Sequence, residues 1–378
     1  MKIAVNTRLL IKDKLEGIGW YTYETLSRIT KNHPEHEFTF LFDREPHADF
    51  LFSANIKPVV LWPQARHPFL WYFWFEHSVA RYLNKNQFDI FISPDGYIPL
   101  TTKTPSISVI HDINFHHYPK GIPFLTRKYY QHYFPKFAQR ANHIVTVSEY
   151  SKNDIANSFN IDPSKITVTH NGANNRFSPL SAHEKVIAKE RFAHNNEYFV
   201  FVGALNPRKN VARLLQAFDM FKAKSGHPHH LVIVGEPMFM TRDIKDALKN
   251  MRHSDSVEFT GRLMVDDLRL AIGGAQALAF VPYFEGFGIP MVEAMNCHTP
   301  IITSNKTSMP EVAEDAAWYI DPFSVESIAN ALNLVANDKQ FREALSAKAE
   351  QRKELFSWDS TAQKLYECID RVANSKVC

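Results

Sequence analysis

Short apolar runs recur along the whole chain, and stretches with helical spacing stand between them. Strand-like runs fall at residues 2–6, 37–42, 58–62, 89–92, 106–110, 143–147 and 165–169, then at 198–202, 230–234, 256–260, 277–281 and 300–303. Helical patterns fall at about residues 20–30, 70–84, 126–140, 211–223 and 265–272, and the tail reads as helices over 325–336, 339–356 and 360–374. Strands that alternate with helices predict mostly parallel sheets with helices on their faces. Ligands of such sheets gather at the carboxyl ends of the strands. Residues that follow a run directly are therefore the ones to search for chemistry.

At 378 residues the chain is too long for one ordinary core, and two domains of about 150–200 residues each are expected. Turn formers in Asn171-Gly-Ala-Asn-Asn-Arg-Phe-Ser-Pro179 place a linker at about residues 172–190. A net charge of +3 is too small to argue for nucleic acid, although the excess of Lys and Arg lies in the first 180 residues. Cys297, Cys368 and Cys378 have neither metal nor disulfide spacing, which suits a reducing compartment. The first residues run straight into a strand pattern and are expected to leave no room for a signal peptide. No apolar run approaches the roughly 18–20 residues of a membrane span. The run Trp71-Tyr-Phe-Trp-Phe75 reads either as a helix packed inside the first domain or as an exposed apolar patch facing a membrane or lipid-linked molecule, with Arg66, His67 and Arg81 nearby.

The densest candidate site is Val281-Pro-Tyr-Phe-Glu-Gly-Phe-Gly-Ile-Pro-Met-Val-Glu-Ala-Met295. A buried strand precedes it and a short helix ends it. A strand that enters a glycine-rich turn and then a helix offers free backbone N–H groups to an anionic or polyhydroxylated ligand. Glu285 stands in the turn, and Glu293 is expected in the first helical turn, where a carboxylate is favourable in its own right. Arg208 and Lys209 occupy another strand-to-helix loop, after Gly203, and fit phosphate contact. Gly261-Arg262-Leu263 ends a third strand. In the first half, Gly17-Ile-Gly19 lies in the loop before the helix at 20–30. It is needed for a tight turn or else approaches a phosphate. His111 follows a strand directly, with Asp112 placed to orient its ring. Ser93-Pro-Asp95 and Ser148-Glu-Tyr-Ser-Lys152 end two more strands. Ser148 and Ser151 suggest a helix cap with Asp154 in the first turn, and Ser148 also faces the ligand end.

These residues resemble those of the retaining glycosyltransferases of GT-B fold, family 4. The match covers nearly the whole chain and is densest over residues 198–323. Its most specific element is Glu285 and Glu293 inside Glu-Gly-Phe-Gly-Ile-Pro-Met-Val-Glu-Ala. Supporting strings are Gly203…Pro207-Arg-Lys-Asn210, Val234-Gly-Glu-Pro237, Phe259-Thr-Gly-Arg262, Met309-Pro-Glu-Val312, Val109-Ile-His-Asp112, Thr146-Val-Ser-Glu-Tyr-Ser-Lys152 and His170-Asn-Gly172. The resemblance implies two Rossmann-like, doubly wound α/β domains facing across a cleft. Residues 1–180 would bind the acceptor, with a C-terminal helix at about 360–378 packing back on them, and residues 181–359 would bind a nucleotide-sugar donor.

The resemblance also assigns roles. Glu285 would hold the donor sugar's hydroxyls and Glu293 the ribose. Amides around Phe287, Gly288 and Ile289 would hold sugar and phosphate, and Arg208 and Lys209 would neutralise the diphosphate. Leu263 would approach the base, Gly17 would reach the phosphate from the first domain, and His111 would sit near the reacting carbon. One departure stands out. Where many relatives carry Arg after the phosphate-loop glycine, this chain has Ala204. No Asp-x-Asp motif occurs, so neither a metal nor any other cofactor is expected.

The implied reaction moves a hexose from GDP-mannose or a UDP-sugar to a glycan or lipid-linked saccharide acceptor, as in cell-surface polysaccharide synthesis. It would proceed with retention by same-face substitution, in the cytoplasm or at the inner face of the membrane. A GT-B nucleotide-sugar epimerase and a catalytically silent sugar-nucleotide-binding protein are the alternatives.

Overall fold

A computed structural model describes residues 1–119, 122–236 and 241–375. The chain divides into two units, Met1–Asn171 with Ser357–Cys378, and Gly172–Phe356.

The first unit is built on seven strands: β1 (Lys2–Asn6), β2 (Glu37–Phe42), β3 (Ile56–Val60), β4 (Ile90–Ser93), β5 (Ser106–Val109), β6 (His143–Thr146) and β7 (Ile166–Val168). They lie in the order β3-β2-β1-β4-β5-β6-β7. Every neighbouring pair is parallel, with Ile3 of β1 opposite both Phe38 and Ile90. Ile3, Ala4, Phe38, Phe40, Ile90 and Phe91 are fully buried. Burial on both sheet faces explains why these strands read as unbroken apolar runs. The chain first builds outward on one side of β1 and then returns to build β4 to β7 on the other. The carboxyl ends of β1 and β4 therefore form this sheet's switch point.

The second unit repeats the plan with β8 (Tyr198–Val202), β9 (His230–Val234), β10 (Val257–Gly261), β11 (Ala277–Phe280), β12 (Ile301–Ser304) and β13 (Trp318–Ile320). Their order is β10-β9-β8-β11-β12-β13, again all parallel. The switch lies between β8 and β11, which puts the loops after these two strands side by side. Edge strand β13 is not expected from the sequence, since its three residues are too short a run to carry a pattern.

Several expectations need correction. The helix after β1 begins at Gly17 and runs to Asn32, so Gly17 and Gly19 lie in its first turn and not in a loop. The linker expected at 172–190 contains much of a helix, Ala182–Ala193. Ser181 and Glu184 start that helix with a reciprocal cap that polar composition alone disguised as loop. In the helix Glu149–Phe159, Ser148 is the cap, accepting from the Ser151 N–H at 3.0 Å, and Asp154 lies beyond the first turn.

The aromatic run does not sit on one regular helix. An α-helical turn at Pro68–Phe73 passes into a π-helical stretch, Trp74–Val79. Widening the helix there turns Trp74 and Phe75 fully into the core, while Phe73 and Phe69 stay half exposed or more. Part of the run is thus packed in the core and part is exposed. No helix of the described residues is long and apolar enough to cross a membrane.

The last helix, Trp358–Asn374, belongs to the first unit. Trp358 meets Tyr21 edge-on at 6.2 Å, Asp359 pairs with Arg28 at 2.5 Å, and Thr361 Oγ1 donates to the His170 carbonyl.

Candidate active site

In the second unit, the turn after β11 and the loop after β8 meet through their charges. The loop forms a single 3-10 turn at Pro207–Lys209. Arg208 Nη1 donates to the Phe284 carbonyl at 3.0 Å and to Glu285 Oε1, and Lys209 Nζ pairs with the same oxygen. Lys209 and Glu285 are both buried, and the Lys209 ammonium also stands 4.8 Å from the centre of the Phe280 ring. Backbone bonds fix the two segments together, since the Tyr283 N–H donates to the Arg208 carbonyl at 2.8 Å. Asn210 Nδ2 donates to the carbonyls of Val281 and Pro322 at 3.0 and 2.8 Å.

The turn is held from β12 as well. Ser308 Oγ donates to the Glu285 carbonyl at 2.9 Å, and the Glu285 N–H donates to Thr307 Oγ1 at 3.3 Å. Gly288 caps the helix Ile289–Asn296 with φ +93°, a left-handed conformation that glycine alone adopts without cost. Phe287 is buried against Phe356. The early amides of this helix and the carboxylate–cation cluster therefore share one strand end.

Glu293 is the fifth residue of that helix, past the first turn, so helix-end electrostatics do not account for it. Burial pushes its carboxyl up to about 7. Glu293 is half-buried, and a carboxyl desolvated in this way on a strand-end helix needs another reason to be there.

Close backbone approach joins the remaining strand ends. The Gly203 N–H donates to the Val234 carbonyl at 2.9 Å and the Gly235 N–H to the Gly261 carbonyl at 3.0 Å. A Cβ at Gly235 would stand 2.1 Å from the Gly203 carbonyl oxygen, so only glycine fits. Leu263, half-buried, follows Gly261. Pro237, the last residue of the expected Val234-Gly-Glu-Pro237 string, lies outside the described residues.

In the first unit, His111 Nε2 donates to the Pro94 carbonyl at 2.8 Å. The imidazole packs edge-on against Tyr21 at 4.9 Å, and Tyr21 lies one helical turn beyond Gly17. Burial lowers the His111 pKa, so the ring is neutral near pH 7. Asp112 does not orient the ring. Its carboxylate accepts, at 3.0 and 2.6 Å, from the backbone and side-chain nitrogens of Asn114, the first residue of the short helix Asn114–His117. Ser148 is fully buried as a helix cap.

Two residues at this end, Asn6 and Arg8, escaped the sequence reading. Asn6 Nδ2 donates to Asp95 Oδ1 at 2.7 Å and to Ser93 Oγ at 3.0 Å. Arg8 Nε pairs with Asp95 Oδ2 at 2.7 Å, under the ring of Tyr97 at 4.5 Å. The overlooked signal was an asparagine ending the first buried strand and an arginine two residues beyond it.

The model described as glycosyl transferases group 1 matches residues 183–352, and the model described as Glycosyltransferase Family 4 matches residues 15–176. The chain belongs to the family-4, group 1 glycosyltransferases. Within this family it is similar to the O-antigen chain mannosyltransferase B of Escherichia coli, 27% identical over 273 residues, 72% of this chain and 71% of that protein. It is also similar to the O-antigen chain mannosyltransferase RfbU of Salmonella typhimurium, 29% identical over 237 residues. That match covers 63% of this chain and 62% of RfbU, less than two thirds of its length.

Among solved structures, HepE of Anabaena in complex with UDP and glucose superposes with a TM-score of 0.77 at 16% identity, over 98% of this chain and 99% of that one. With two all-parallel, doubly wound units, this glycosyltransferase has the GT-B fold.

Proposed function

We propose that this glycosyltransferase moves a mannosyl group, with retention of configuration and without a metal, from GDP-mannose to a glycan or lipid-linked saccharide during polysaccharide synthesis. The observation that carries the reading is the convergence of Arg208 and Lys209 on Glu285 beside the Gly288 helix start. The names of the O-antigen mannosyltransferases favour mannose over the hexoses of UDP-sugars.

Departure of a nucleoside diphosphate builds negative charge on the leaving oxygen and positive charge on the sugar. In this reading Arg208, Lys209 and the amides of Gly288 and Ile289 meet the first. Arg208 does so in place of the arginine that Ala204 lacks. A diphosphate competes with Glu285 for both cations, which frees the Glu285 carboxylate for the sugar's hydroxyls. Glu293, Leu263 and the Gly203 loop take the nucleoside. His111, neutral and held by Pro94, and Gly17 at its helix start are assigned to the reacting carbon and the phosphate.

Substitution on the same face, with the departing phosphate taking the acceptor's proton, requires no carboxylate nucleophile. Mass spectrometry of enzyme quenched during turnover therefore shows no mannosyl adduct on Glu285. A trapped adduct there overturns the mechanism.

The activity itself is tested with a panel of nucleotide sugars, scored first by thermal shift and then by transfer to an α-mannoside acceptor. The anomeric configuration of the product is read by NMR. Rapid turnover of donor without acceptor, beyond slow hydrolysis, would instead make the protein an epimerase. Peripheral contact with the membrane's inner face is part of the proposal, supported by exposed Phe69 and Phe73 near Arg66, His67 and Arg81.

A further inference from the structure

The opposite end of the first sheet carries a cluster that transfer chemistry does not use. Between the helix Gly17–Asn32 and β2 runs His33-Pro34-Glu35-His36. Among the described residues, His33, Glu35 and His36 are the only three His, Cys, Asp or Glu side chains whose donor atoms all lie within 4.8 Å of one another. His33 Nδ1 is 3.3 Å from Glu35 Oε1, and His36 Nε2 is 3.5 Å from the same oxygen. Zinc bonds of about 2.0–2.2 Å to imidazole and carboxylate set donors about 3.3–3.5 Å apart at the corners of a tetrahedron. The two contacts therefore already have the spacing of zinc ligands.

The loop is held in place independently of any ion. Asn55 Nδ2 donates to the carbonyls of Thr30, His33 and His36, each at 3.1 Å. The tail helix covers the cluster with Tyr366, whose ring stacks on His33 at 3.4 Å and whose hydroxyl lies 2.9 Å from His36 Nε2.

We propose that His33, Glu35 and His36 bind a divalent cation of the zinc type, with Tyr366 closing the fourth side. Two imidazoles and one carboxylate suit zinc, nickel or copper and not magnesium or calcium, which prefer all-oxygen shells. The cluster stands at the amino end of β2, so the ion lies a strand length, about 16–20 Å, from the carboxyl ends where His111 and Asp95 sit. Its role is structural. It ties the tail helix Trp358–Asn374 to the sheet on which that helix packs.

The test uses the untagged full chain, stripped with chelator and titrated with Zn²⁺ against a chromophoric zinc indicator. Wild type is expected to bind one equivalent. Glu35→Gln, at a side chain more than half exposed and so harmless to folding, and His33→Ala are each expected to bind at least tenfold more weakly. Magnesium is expected to leave Tm unchanged, while Zn²⁺ raises it in wild type only. Zinc is also expected to slow amide exchange in the tail helix of wild type and not of Glu35→Gln. Equal zinc affinity in wild type and Glu35→Gln overturns the site. Unchanged tail-helix exchange on zinc binding overturns its role as a tie.

Discussion

Arg208 donates to the carboxylate of Glu285, 77 positions further along the chain. The two residues meet because β8 and β11 are neighbours at the point where the second sheet changes direction. Lys209 adds a second positive charge to the same oxygen.

Removing the acid exposes the cost of that arrangement. Glu285→Ala leaves a buried ammonium and a partly buried guanidinium without their carboxylate. A loss of about 3 kcal/mol in unfolding free energy is expected, together with a fall in turnover of at least about 100-fold. Urea denaturation and initial rates measure the two. Glu285→Gln separates them in part, since it keeps the shape and an acceptor oxygen but not the charge, and is expected to recover some of the stability but not the activity.

Lys209→Met keeps the buried stem against Phe280 and removes only the charge. The expected result is a drop in kcat/KM for the nucleotide sugar of about 100-fold, near 2.7 kcal/mol, with little change in Tm. Arg208→Lys loses the guanidinium Nη1 that donates to both Glu285 and the Phe284 carbonyl, and a comparable drop is expected. Steady-state kinetics with varied donor decides both.

Glu293 links stability to pH. Its folded carboxyl titrates at about 7, above the usual carboxylate value of 4.5. Between those values the folded state holds a proton that the unfolded chain has released, so stability falls as pH rises from about 4.5 to 7. Glu293→Gln abolishes this slope and is expected to be more stable than wild type at pH 8 by about 2 kcal/mol, the 1.36 kcal/mol per pKa unit being discounted for partial exposure. Below pH 4.5 the two proteins converge. If the ionised carboxylate binds the ribose, donor affinity in wild type rises through pH 7 and that of Glu293→Gln does not. Denaturation and calorimetric titration across pH 4–8 check both statements.

Gly288→Ala forces a left-handed φ of +93° on a residue with a Cβ. The expected cost is about 1–2 kcal/mol, read as a lower Tm, with weaker donor binding because the helix start shifts. A fully active, equally stable Gly288→Ala protein would show that the turn tolerates another conformation.

The two-sheet architecture was legible because period and length were clear. β2, β8 and β9 match the expected runs residue for residue, and the loops at Arg208, Glu285 and His111 stand where strand ends were expected. What failed to show was of two kinds. Polar segments with strong local capping, such as Ser181-Ala-His-Glu184, look like loops by composition and are helices by hydrogen bonding. The edge strand β13 and the π-helical stretch at Trp74–Val79 depend on neighbours that no local window contains.

By itself, the sequence determined that strands and helices alternate, where the glycines permit close turns and which polar residues stand at strand ends, because these follow from local backbone preferences and apolar periodicity. Tertiary structure alone decided the pairing of those residues. The strand order of the second sheet brings Arg208 and Lys209 onto Glu285, that of the first brings Arg8 and Asn6 onto Asp95, and Pro94 rather than Asp112 holds His111. A parallel sheet joins strand ends far apart in the chain, so its polar contacts follow from strand order and register, which no single segment encodes.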